Sequence, residues 1–376
     1  MRASGLLLLL PAALSAQTPD SGAFVVRLGV DTVAVERFRR SAERLEGTFL
    51  NRATARTALY EYVITFGPDG AVQKADMTTR PAASPTARAQ QFVVTWTGDS
   101  VVVERIVGDS TRTQKVGAAT PIYPLILNSY ALTEVMTRAA RKSNAPVKAT
   151  ALFLGSAALR DVEVAPRGSD SMTIKFLGST AHARVDAQGR VLGADGRETT
   201  VKVVTERLPT VDLAALTTGF AQRPLGQLST RDTARATIGA HVLWVDYGRP
   251  QARGRTIFGG IVPWNAVWRT GANAATQLHT PVDLSFGAVI VPAGTYTLWT
   301  VPAPDGWTLI INRQAGQWGT EYHVEQDLGR VPLELRQLGE PVDQFTIALE
   351  PRGDAGGMLV LTWEKTRATA SFMIVK

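Results

Sequence analysis

Residues 60–79 read Tyr60-Glu61-Tyr62-Val63-Ile64-Thr65-Phe66-Gly67-Pro68-Asp69-Gly70-Ala71-Val72-Gln73-Lys74-Ala75-Asp76-Met77-Thr78-Thr79. Tyr60, Tyr62, Ile64 and Phe66 recur every second residue, and strand side chains alternate between faces, so these large groups share one side of a strand. Pro68-Asp69-Gly70 is turn chemistry, and 72–79 then returns antiparallel. The same grammar recurs at 92–97, the turn Gly98-Asp99 and 100–107, and again at 181–185, the turn Asp186-Ala187-Gln188-Gly189 and Val191 onward. Residues 123–142 break it. Leu127, Tyr130, Ala131, Val135 and Ala139 fall near a 3.6-residue period, and Arg138, Arg141 and Lys142 supply the cations that a helix C-terminus favours. Residues 22–207 are therefore expected to form an antiparallel, curled sheet with one helix, 123–142, packed on it.

Outward from this unit, residues 208–234 read as a linker with a short helix near 211–220, because Pro209, Gly219, Pro224 and Gly226 punctuate it. Beyond it the composition shifts, and seven of the eight tryptophans follow residue 240. Short strands are expected at 237–247, 275–280, 289–291, 295–301, 307–312, 345–350, 358–364 and 368–374. Their spacing, with Pro and Gly turns between, predicts a β-sandwich or jelly-roll-like domain over 235–376. The chain as a whole is mainly β.

The 376 residues, 45% hydrophobic and 19% charged, suffice for two or three folded units and exclude wholesale disorder, collagen and a multi-span membrane protein. Met1 and Arg2, the apolar run from Leu6 to about Leu14, and small Ser15 and Ala16 before Gln17-Thr18-Pro19-Asp20 read as a signal peptide, residues 1–16. That run is too short to span a bilayer, so no membrane span is expected. No cysteine occurs, which excludes a disulfide, a thiolate nucleophile and a lipidated post-signal cysteine. A bacterial periplasmic or extracellular location suits such a chain. The 40 Lys and Arg against 33 Asp and Glu favour anionic partners. They form no basic run of the kind that tracks phosphates, so no nucleic acid is expected.

The most distinctive stretch is 245–322. It holds Tyr247-Gly248-Arg249-Pro250, Arg253-Gly254-Arg255-Thr256-Ile257-Phe258-Gly259-Gly260 and Val262-Pro263-Trp264. Val267-Trp268-Arg269-Thr270-Gly271-Ala272-Asn273, Pro292-Ala293-Gly294-Thr295-Tyr296 and Gln317-Trp318-Gly319 follow. This combination resembles a family of exported bacterial proteins catalogued as domain of unknown function 2911, over about 235–376. The resemblance implies a β-rich exported domain and carries no catalytic residues.

The same stretch supplies the candidate ligand-binding residues: Arg249, Arg253, Arg255, Trp264, Trp268, Arg269, Asn273, Trp318 and Tyr322. Guanidinium forks match carboxylate or phosphate, Asn offers donor and acceptor together, and aromatic faces suit sugars. The alternative is that Trp268 and Trp318 are core while the arginines pair with Asp246, Glu321 or backbone carbonyls. Glu321, His323 and Glu325 would share one face of a strand and form the best local metal candidate. Gly98-Asp99-Ser100 and Gly108-Asp109-Ser110 read as hairpin turns, because no helix follows to make a nucleophile elbow. No Walker loop or dinucleotide fingerprint occurs, and no cofactor is expected. The reading is a non-catalytic exported binding protein for an anionic or carbohydrate-like ligand or an envelope component. One alternative is an envelope hydrolase using carboxylates or His323, and another is a structural scaffold without a small ligand.

Overall fold

The computed structural model describes residues 20–375 other than 55, 85, 200 and 227; the predicted signal peptide, 1–16, lies outside the described residues. The described residues form a 15-stranded and a 9-stranded sheet. In the first, two meanders, antiparallel except at the edge strand Ile122–Leu125, leave a common seam, where strand Asp20–Leu28 pairs with Val204–Leu208. One meander runs strand by strand to the edge Ser110–Gly117, and the other runs back from the seam to the edge Ile122–Leu125. These edges are consecutive in the chain. Their five-step link reaches at most about 18 Å, whereas fifteen strands laid flat would span about 67 Å. The sheet must therefore curl until its edges approach, and Trp96 Nε1 donates to Ile122 O at 2.8 Å across the gap.

The strand Ala58–Phe66 pairs with Val72–Pro81 around the turn in which Gly70 takes φ 83°. Tyr62, Ile64 and Phe66 are buried, with Phe24, Phe49, Met77 and Phe92 in the same core. Gly98 and Gly108 take left-handed φ values in the turns before Ser100 and Ser110, which joins those two segments to the hairpins.

Helix α1, Tyr130–Ser143, fills the curl and buries Leu132, Val135, Met136 and Ala140. It starts seven residues later than its apolar spacing predicts. Ile122–Leu125 is instead a strand parallel to Val147–Phe153, in keeping with Pro124, which disfavours helical backbone at the residue before it. Ser129 caps α1 through Leu132 N at 3.3 Å, and Asn144 ends it in the left-handed region. Glu36, buried on strand Asp31–Arg40, accepts from Tyr62 OH (2.6 Å), Ser129 Oγ (2.5 Å), Tyr130 N (2.9 Å) and Ala131 N (3.0 Å). A carboxylate thus faces the helix N-terminus, where the orphan N–H groups and the dipole favour it. Deeper in the helix, buried Glu134 pairs with Arg207 of the seam.

Helix α2, Leu213–Gln222, capped by Asp212, connects the sheets. The second sheet begins at Ser229, earlier than the linker reading places it. Residues 237–247 are not one strand but part of the hairpin Ser229–Ile238 and His241–Pro250. The three short strands read after residue 345 are parts of two long ones, Asp327–Pro351 and Gly356–Ile374. The first of these pairs with Gly306–Asn312 over Asp327–Leu333 and with Gly356–Ile374 from Glu334 onward, with register breaks between Gln337 and Thr346 that bend the second pairing. The sheet so folds over itself: Tyr247 OH meets Ile347 O at 3.3 Å. Tyr247, Leu298, Leu309, Phe345 and Trp363 fill the space between its layers.

Candidate functional site

Between strands His241–Pro250 and Thr276–Thr280 the chain makes a long excursion, 251–275, fixed at several points. Ala252 N donates to Asp343 O (2.8 Å) and Ile257 N to Glu364 Oε1 (3.0 Å), while Trp268 and Thr300 exchange backbone bonds of 2.7 and 2.9 Å. Arg253, Thr270 and Asn273 take φ of 51°, 50° and 63°, left-handed values that non-glycine residues seldom adopt and that such anchoring sustains. Trp268 packs on Trp363 (5.7 Å between ring centroids, 21° interplanar) and on Phe345 (5.1 Å). This wedge sets where Arg269 goes.

Arg269, Arg255, Trp268 and Asn273 come together in the wall of a cavity of about 300 Å³ between the two sheets. The first unit contributes Leu28, Leu127, Asn128, Val201 and Lys202 to the same wall. Cations from both halves therefore converge, and no Asp, Glu or His stands among the described lining residues. Arg269 is half-buried and has no ion pair among the described residues, and its buried Nε has no hydrogen-bond partner. Burial pushes its pKa below the ordinary arginine value. Lys202 donates to Ile261 O at 3.1 Å, across the boundary between the halves. Burial first, then the Arg269 and Arg255 charges, lower its pKa to about 8 against the weaker opposing pull of Glu198. Arg255 donates to Ala252 O (2.9 Å) and Gln251 O (2.5 Å), which aims its fork.

Two glycines make room for these arginines. A Cβ on Gly319 would stand 2.3 Å from Arg269 Cδ and 2.4 Å from Asn273 O. One on Gly29, whose φ is 60°, would stand 2.8 Å from Arg255 Cγ and 2.6 Å from Arg253 O. Gly319 of the Trp318-Gly319 pair thus serves the site sterically, although Trp318 does not line it.

The other predicted residues lie elsewhere. Arg249 pairs with Asp232 at 2.9 Å and reaches Thr346 Oγ1 at 3.2 Å. Arg253 pairs with Asp31 of the first unit at 2.9 Å. Trp264 lies over Gly259 and stacks on Phe258. Trp318 is joined to Ala274 by a β-bridge. Tyr322 donates to Asp327 Oδ2 at 2.7 Å and packs on Trp299; burial and that carboxylate push its pKa up to about 12. Asp246, offered as an arginine partner, pairs with Arg231 instead. The metal candidate also changes. Glu321, His323 and Glu325 lie on no strand, since His323 precedes the 3-10 turn Val324–Gln326 and its Nδ1 meets Glu325 Oε1 at 3.0 Å on the surface. Among the described residues, no three His, Asp or Glu groups are placed to hold a metal ion.

Asn128 and Lys202 belong to the site and escape sequence reasoning. Neither sits in a motif, and both reach the cavity from loops of the opposite half.

No curated protein matches the chain. Among solved structures, a DUF1089 family protein from Pseudomonas aeruginosa is similar over 44% of this chain and 90% of its own, at 12% identity and a TM-score of 0.33. Residues 229–372 match the family described as Protein of unknown function (DUF2911), so the second sheet and its long excursion form a domain similar to that family.

Proposed function

We propose that this is an exported, non-catalytic binding protein that takes an anionic small molecule in the cavity between its two sheets. One observation carries the reading: Lys202, Arg255 and Arg269 face a common space whose described walls hold no carboxylate. Charges gathered away from water are ordinarily paired, because an isolated one is costly. An incoming carboxylate or phosphate would supply the missing partner through charge-assisted hydrogen bonds. The volume lies within the range of small-molecule sites. The absence of Asp, Glu and His from the described wall leaves no carboxylate or imidazole there to move a proton. The basic balance of the chain adds a favourable long-range field.

Titration calorimetry of the mature protein with phosphate, sulfate and simple organic acids at low ionic strength tests this. Binding should weaken with added salt, and Arg269→Met should weaken it roughly tenfold or more. Arg249→Met should leave it unchanged, since Arg249 is paired elsewhere. If no anion gives heat or raises the melting temperature of the wild-type protein, the reading fails.

A further inference from the structure

Resting on that reading, we infer that the anion carries an apolar arm, which passes over Leu127 and enters a slot beneath α1. The cavity and this slot, about 90 Å³, share Leu127, Asn128 and Val201 in their walls. Most of the slot is apolar: Leu125, Tyr130, Met136, Ile174 and Phe176 line it, and no charged side chain stands among its described residues. Its threonine and serine hydroxyls are already engaged. Thr133 Oγ1 donates to Ser129 O (2.8 Å), Ser179 Oγ to Phe176 O (3.1 Å) and Thr199 Oγ1 to Gly196 O (2.6 Å). A guest therefore meets a mostly apolar surface whose threonine and serine hydroxyls ask for no hydrogen bonds.

Leu127 marks the junction. It is 39% exposed and stands in the loop in which Asn128 takes φ 70°. A single exposed leucine is ordinary. One placed between a cationic wall and an apolar slot is what a molecule with a charged head and a hydrocarbon or aryl arm would cover. The chemistry of the two spaces selects the class: a carboxylate or phosphate monoester bearing a short acyl, alkyl or aryl group. A bare inorganic anion would leave the slot empty. A long uncharged lipid would leave the cations unpaired.

The test is a calorimetric series of alkanoates from acetate to octanoate, with ethyl to hexyl phosphate as a second series and inorganic phosphate as the reference. Affinity should rise roughly fourfold for each added methylene until the slot is filled. Ala181→Leu, which places a larger side chain in the slot wall, should flatten that rise while acetate and phosphate bind as before; a wild-type-like melting curve confirms its fold. Equal affinities for acetate and octanoate, with anions still bound, would overturn the apolar arm and leave the anion site standing. A rise that persists in folded Ala181→Leu would also overturn it, because the arm would then lie elsewhere. Absence of binding by every member, inorganic phosphate included, removes the anion site and the arm together.

Discussion

Arg269 and Lys202 approach one cavity from opposite halves of the chain, and they were unequally legible. Arg269 stands out in the sequence beside Trp268, in the distinctive stretch that also holds Gly271 and Asn273. Lys202 has no such setting, and only the tertiary fold makes it a neighbour of two arginines. That neighbourhood sets its titration. Its folded pKa of about 8 lies below the ordinary lysine value of 10.5. Between those values the unfolded chain binds more protons, so the ligand-free protein should gain stability as pH rises through that window. Lys202→Met should abolish the gain in urea melts run at pH 7.5, 8.5 and 9.5. Anion affinity should move the opposite way and fall from pH 7 to 9.5 as Lys202 loses its charge. Arg255 and Arg269 stay charged over that range. Lys202→Arg should hold the affinity flat, as calorimetry at each pH would show.

Helix α1 shows what periodicity can and cannot find. The 3.6-residue spacing of its apolar groups and its cationic end place it correctly in the chain, and Arg141 and Lys142 do occupy its last turn. Its beginning was hidden because strand Ile122–Leu125 is specified by parallel pairing with Val147–Phe153, a long-range contact that leaves no local pattern. Its most important cap was hidden too. Glu36 lies almost a hundred residues upstream and is buried with four donors around it. Burial raises its pKa while those donors oppose the rise. Replacing it by Gln would turn an amide N–H₂ toward groups that can only donate or prefer to. Glu36→Gln should cost about 2–3 kcal/mol of unfolding free energy, measured by urea denaturation at pH 7. Glu46→Gln, at a solvent-facing carboxylate paired with Arg44, should shift it by less than about 0.5 kcal/mol.

For the whole molecule, the composition shift near residue 235 and the two strand grammars were enough to read two β-rich units, because alternation and turn chemistry are local. How the units meet was not legible. Arg253 looked like a ligand-binding residue, yet its guanidinium is engaged by Asp31 at 2.9 Å, where the arginine side chain is only 11% exposed. This pair and the Lys202–Ile261 bond tie the halves together and frame the cavity. Asp31→Ala would strand a largely buried guanidinium. It should therefore raise the hydrogen-exchange rate of amides in 251–256 several-fold without altering exchange in α1. Wild-type protection of 251–256 in the variant would show that the ion pair does not hold the halves. The seam of the first sheet has a mechanical consequence as well. The chain enters strand Asp20–Leu28 and leaves strand Val204–Leu208 at the same end, with Ala23 opposite Leu208. Tension drawn between the start of the unit and the second sheet would therefore load that ladder as a zipper, rung after rung from its open end, and never in shear across all rungs together.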